Sequence, residues 1–220
     1  MSDTSEFFSA IRDGNATVLD AQLAADPSLA SAEQDGVSAI LFALYHGKEE
    51  FARRFVRSGV EPGFFEAAAL GDLGRVSELL AADPLLAASH TPDGFGALGL
   101  AAFFGHERVV ALLARWCDPN TPSANRMRAA PLHSATATLR PEAAVPMTRA
   151  LLAQGADPNL RQEGGYTPLH AAAAVGNTEL VRLLLAHGAD HAVRTDAGHN
   201  AADLAAEKGH HDLAAELAPP

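Results

Sequence analysis

Ten histidines, one cysteine and several adjacent acids are the residues of this 220-residue chain that could do chemistry. A metal site on a helix wants histidines four apart on one face. His187 and His191 keep that interval, but Gly188 lies between them and breaks the helix that would align them. His210 and His211 are adjacent, so they diverge on a helix. There is no H-E-x-x-H, no cysteine pair and no calcium-loop aspartate cluster. Nucleophilic catalysis fares no better: Gly-x-Ser-x-Gly and a glycine-rich phosphate loop are both missing. Cys117, in RWCDPN, reads as a small hydrophobe in an irregular turn rather than a reactive thiol. Glu49-Glu50 reads as a solvated helix face. No catalytic residue, metal or cofactor is expected, and the chain reads as non-enzymatic.

Composition narrows the partners. Sixteen basic against twenty-seven acidic residues leave a charge of −11. That is the sign of a phosphate backbone, which disfavours nucleic acid and anionic membranes. A lone cysteine excludes an intrachain disulfide framework and fits a reducing compartment. The N-terminal MSDTSEFF has no basic segment leading into an apolar core, and no run approaches the roughly 18 apolar residues of a membrane span. A cytoplasmic location is the expectation. Hydrophobic residues make up 48% of the chain, but aromatics only 6%. With alanine and leucine dominant, the favoured local state is helix.

The elements repeat. From His170, a glycine follows at six residues (Gly176) and another at eighteen (Gly188). Leu41 keeps both offsets, at Gly47 and Gly59. Phe8, Phe65, Gly99 and Asp203 are followed at six by Gly14, Gly71, Gly105 and Gly209, whereas His133 is followed by Leu139. These seven anchors lie 33, 24, 34, 34, 37 and 33 residues apart. A period near 33 means stacked supersecondary units. It divides a single domain, 1–220, into about seven units: 1–32, 33–60, 61–91, 92–121, 122–160, 161–193 and 194–220. About nine residues are missing at VEPG, where a hairpin should be, and the 37-residue interval carries an insertion at TLRPEAAVP. The joint near 60–64 is expected to be the weakest.

Within a unit, Thr167 suits an N-cap and Pro168 the first helical position. Ala171 to Ala174 permit close helix approach, and Gly176 supplies the left-handed residue that ends the first helix. A second helix from Thr178 to about Ala186 carries Leu180, Leu183 and Leu184 on one stripe, and Gly188 closes it. The segment from Asp190 to Gly198 reads as an extended loop or hairpin.

This unit resembles the ankyrin repeat. Its Thr-Pro-Leu-His signature stands intact at 167–170 and as Ala-Pro-Leu-His at 130–133, with GADPN at 155–159 and GAD at 188–190. Elsewhere the glycine register carries the match: Ser38-Ala39-Ile40-Leu41 and Ala97-Leu98-Gly99 lack proline and histidine. The resemblance implies an all-α solenoid of helix-turn-helix units with connecting β-hairpin loops. It implies that His133 and His170 are structural, bonding near the start of the first helix and across to the neighbouring loop. It also implies a protein or peptide partner.

In stacked helix pairs the inner face is built from loop tips and the last turn of each first helix, four and five residues past the anchor. Those positions hold Tyr45 and His46, Ala69 and Leu70, Phe103 and Phe104, Ala137 and Thr138, and Ala174 and Val175; four before the anchor lie Phe95 and Tyr166, and Trp116 stands just before the turn at Cys117, in the same neighbourhood. Burying a large apolar side chain contributes about 1.5–3 kcal/mol, so this aromatic bias predicts either a partner or an internal cover such as the insertion at 139–146. The longest loop tip carries Arg126, Met127 and Arg128, which suits an acidic or carboxylate-bearing peptide. A monomer is expected. A homodimeric or purely structural array and an accessory subunit of a redox or other enzyme system are the alternatives.

Overall fold

The structure, a computed structural model, describes residues 4–218; residues 1–3 and 219–220 of the expected span lie outside it. Fourteen helices occur among the described residues, in seven consecutive pairs. The inner members are α1 (Thr4–Asp13), α3 (Ala39–Tyr45), α5 (Phe64–Leu70), α7 (Ala97–Phe103), α9 (Pro131–Thr136), α11 (Pro168–Ala174) and α13 (Ala201–Glu207). Their outer partners are α2 (Ala16–Ala25), α4 (Glu49–Arg57), α6 (Leu73–Ala82), α8 (Glu107–Leu113), α10 (Pro141–Ala153), α12 (Thr178–Ala186) and α14 (His211–Leu217). Each inner helix packs on the next, and the outer helices form a second row from α6 to α12. The fold is an all-α repeat solenoid.

The turn within each pair follows from its glycine. Gly71 and Gly176 have φ of +78° and +71°, a region that costs an L-residue its Cβ clearance. The following N–H then turns back onto the inner helix, as Asp72 N–H to the Ala67 carbonyl and Asn177 N–H to the Ala172 carbonyl. Asp72 and Asn177 go on to cap the outer helix, accepting from Arg75 N–H and Leu180 N–H. A Cβ on Gly71 would lie 2.4 Å from the His106 ring, and one on Gly176 2.4 Å from His210. The residue after one glycine thus seats on the glycine of the pair before. The fifth pair has Leu139 instead, and its turn is held differently: Leu139 N–H and Thr138 Oγ1 both donate to the Phe103 carbonyl of the fourth pair.

Hairpin ladders are scarcer than the resemblance implies. Among the described residues, paired strands occur at β1 (Glu33–Gln34) and β2 (Val37–Ser38), and an isolated bridge joins His90 and Gly96. Later loops are stitched sideways instead. Asn120 donates to the Gly155 carbonyl and accepts from Asp157 N–H, and Asn159 does the same with Gly188 and Asp190. Side-chain amides therefore satisfy loop backbone that a longer ladder would otherwise pair.

The missing hairpin has an unexpected result. Val60 to Gly63 runs directly into α5, and the loops on either side close over the gap. A Cβ on Gly36, at the β1–β2 tip, would lie 3.0 Å from Pro92 of the fourth loop. Tyr45 of α3 stacks 6.4 Å from Phe104 and sits 6.1 Å from Phe95, both in the fourth pair. The intervening Ala67, Ala68 and Ala69 of α5 are small enough to allow this approach. Arg140 also reaches back to Glu49, 3.4 Å away. Buried side chains fall into two clusters, an aromatic one from Phe7 to Phe104 and an alanine- and leucine-rich one from Phe64 to Leu217, which overlap across the third and fourth pairs.

Candidate interaction surface

The structure separates the aromatic residues into three places. Tyr45 and Phe104 pack face to face, with Phe104 buried and Phe95 at the edge of Tyr45. This corrects the expectation that they form part of an open stripe: the shortened third unit brings the second and fourth together, which buries Phe104 and leaves Tyr45 and Phe95 half-buried. Of the insertion, Pro141 to Pro146 forms the first turns of the long outer helix α10, while Leu139 and Arg140 lie against the Phe103–Gly105 turn. The Tyr45 hydroxyl is buried and faces Asp93 without a hydrogen bond of ordinary geometry. Burial first, then the Asp93 and Glu66 carboxylates, raises its pKa far above that of an ordinary phenol. His46 is exposed, its ring 4.4 Å from that of Phe42.

Phe103, Tyr166 and Met127 keep open surface, as do Leu139 and Val175, which the aromatic count overlooks. Their signal in the sequence is offset rather than residue type: Val175 is five past its anchor and Leu139 six past its own. Hydrogen bonds tie neighbouring positions together. The Phe103 carbonyl holds the turn carrying Leu139, and the Met127 carbonyl accepts Glu163 N–H three residues before Tyr166. The loop tip is less basic than its sequence suggests, because Arg126 pairs with the Glu163 carboxylate. Arg128 is exposed at φ +51° and forms no ion pair among the described residues.

Trp116 lies elsewhere, after the end of α8, beside a cavity of about 260 Å³ that also borders Leu85 and Cys117. Neither Phe103, Met127 nor Tyr166 lines it. Burial pushes the Cys117 thiol up to about 11, so it stays protonated near neutrality. That weighs against the redox alternative. Among the described residues no group of three His, Cys, Asp or Glu side chains is placed to hold a metal ion.

The signature residues make a hydrogen-bonded cap. His133 Nδ1 accepts from Ala130 N–H at 3.2 Å, and its Nε2 lies 3.2 Å from the Tyr166 carbonyl. An acceptor at Nδ1 and a donor at Nε2 specify a neutral ring. His170 Nδ1 likewise accepts from Thr167 N–H at 3.0 Å and meets the Thr167 hydroxyl at 2.8 Å. Its Nε2 is buried, with the His199 and Val193 carbonyls beside the ring, but completes no bond of ordinary geometry. Thr167 and Pro168 occupy the N-cap and first turn of α11, and Gly176 and Gly188 have positive φ just past α11 and α12.

No helix among the described residues is long and apolar enough to cross a membrane. No curated protein matches the chain. Residues 143–220 match the family model for ankyrin repeats (3 copies).

Proposed function

Starting from an ankyrin-type solenoid, a class of fold that generally serves protein–protein interaction, we propose that this chain is a non-enzymatic module. It binds a protein or peptide along the inner side of its fourth to sixth pairs. The observation that carries the reading is a set of exposed apolar side chains on these pairs: Phe103 and Leu139 on turns joined by a hydrogen bond, Met127 and Tyr166 on bonded loops, and Val175 at the end of α11. Rigid backbone with open apolar side chains is the material of an interface centre, where a few large residues dominate affinity. Phe104 packs edge-on against Phe103 and stacks on Tyr45 in turn. Arg126–Glu163 contributes a polar rim, and Arg128 is the tip charge left for a carboxylate.

The test is affinity capture from the native host with the intact chain and with Phe103→Asp/Tyr166→Asp. The double variant should keep its helical circular dichroism and lose the partner. A Trp116→Ser variant, altered at the separate cavity, should retain it. Retention by the folded double variant would reject this surface. Light scattering on the same samples separates a monomeric binder from a homodimer built on the same residues.

A further inference from the structure

The cavity beside the fourth pair coincides with a position that the fifth and sixth pairs fill themselves. His133 and His170 are the third residues of α9 and α11. Each ring accepts the N–H of its own N-cap residue, Ala130 or Thr167, and lies against two carbonyls of the next loop. Those carbonyls belong to Tyr166 and Leu160 for His133, and to His199 and Val193 for His170. Loop hydrogen bonds fix the corresponding atoms in the fourth pair. Gln162 N–H donates to Tyr166, Thr195 N–H to His199 and Ser123 N–H to Ala129. Leu160, Val193 and Thr121 each precede their donor by two residues. The equivalent frame is therefore Gly96 N–H with the Ala129 and Thr121 carbonyls, and all three residues line the cavity.

At the centre of that frame stands Gly99. Nothing in the backbone demands glycine there: it is helical, and an added Cβ would meet only Ser134 Oγ, at the ordinary distance of 3.7 Å. A glycine in a helix interior weakens it relative to alanine, so the residue gives up stability and leaves space. The other six anchors all carry side chains. At the rim, Leu85 and Trp116 are 81% and 49% exposed. In the first unit's matching LAADPSLA, Ser28 stands where Leu85 stands here.

We propose that this cavity binds a free, planar nitrogen heterocycle of the imidazole class. Its acceptor nitrogen takes the Gly96 N–H, its own N–H donates to the Ala129 or Thr121 carbonyl, and Trp116 and Leu85 cover its apolar edge. The neutral form binds, because a protonated ring has no acceptor for Gly96. The Ala129 carbonyl already accepts Ser123 N–H and keeps a second lone pair, as the Tyr166 carbonyl does when it serves both Gln162 and His133. A cavity of about 260 Å³ is larger than one five-membered ring, so a fused bicycle fills it better.

Trp116 is the chain's single tryptophan and reports on the site directly. Benzimidazole titrated at pH 8 should change its emission saturably, with imidazole binding more weakly and indene, of similar shape without nitrogen, weaker still. Gly99→His fills the space with the chain's own ring and Gly99→Leu fills it without nitrogen. Each should weaken benzimidazole binding by about tenfold or more while preserving helical circular dichroism. In the unaltered protein, nuclear magnetic resonance should place the largest benzimidazole shifts at the Gly96 and Ala129 amides, which keeps the test decisive if neither variant folds. Unchanged affinity in the folded variants, equal binding of indene, shifts centred elsewhere, or no saturable response would overturn the proposal. Tighter binding of capped glycyl-histidyl-glycine than of benzimidazole would place the ring on a partner chain and overturn the free-molecule source.

Discussion

Neutral imidazoles hold the helix starts of this protein, and that gives it a sensitivity to mild acid. His133, His170 and His106 are all held below the ordinary imidazole value, in each case chiefly by burial. The unfolded chain takes up protons near pH 6.5, whereas the folded chain resists until lower pH. Their contribution is therefore full above that value, falls as pH drops through it, and levels off below the folded values. Each histidine adds a slope of up to about 1.4 kcal/mol per pH unit in that window. The urea midpoint should be lower at pH 5.5 than at 7.5, and a His133→Gln/His170→Gln variant should show a smaller difference. An unchanged difference in that variant would assign the effect to other groups. The depressed carboxylates Glu49 and Asp203 act at lower pH, and with side chains about half exposed to screening solvent they contribute little.

At the scale of elements, the joint between the second and fourth pairs is the feature with most consequence. A missing hairpin predicts fast local opening near 60–64, yet Tyr45, Phe95 and Phe104 bridge the gap. Hydrogen exchange in α5 should therefore be as slow as in α11. Tyr45→Ala should accelerate it and cost about 2–4 kcal/mol, as for a large-to-small core change. Tyr45→Phe removes only a buried hydroxyl that has no ordinary hydrogen bond, and should lie within about 0.5 kcal/mol of the parent. Fast exchange in α5 of the unaltered chain would restore the weak-joint expectation. The helix pairs were legible because Gly14, Gly47, Gly71, Gly105, Gly176 and Gly209 each force a left-handed turn that sequence offsets expose directly. The span Thr178–Ala186 was legible for the same reason. Tyr45 on Phe104 was not, because a deletion in one unit decides which residues meet two units apart. The pairing of Arg126 with Glu163 was hidden likewise, since loop tips in different units share no local pattern.

Over the whole molecule, two hydrophobic clusters of different composition meet across the third and fourth pairs. Stability in a stacked array is a sum of local and nearest-neighbour contributions, so unfolding need not be all-or-none. Phe7 is fully buried in the aromatic cluster, while Trp116 sits beside the other. Phe7→Ala should shift the early part of the urea transition seen by circular dichroism and move the Trp116 fluorescence midpoint less. Equal shifts by both probes would mean one cooperative block. The seam where Gly36 meets Pro92 carries a further consequence. It works as a keystone, since a chain shortened at Val60–Gly63 draws the two flanking loop tips together. Lengthening that linker by a few residues would prise out the keystone and relax the arc. It would swing the N-terminal pairs away from the rest without altering any residue on their faces, so linker length alone is a dial for how tightly this protein curls.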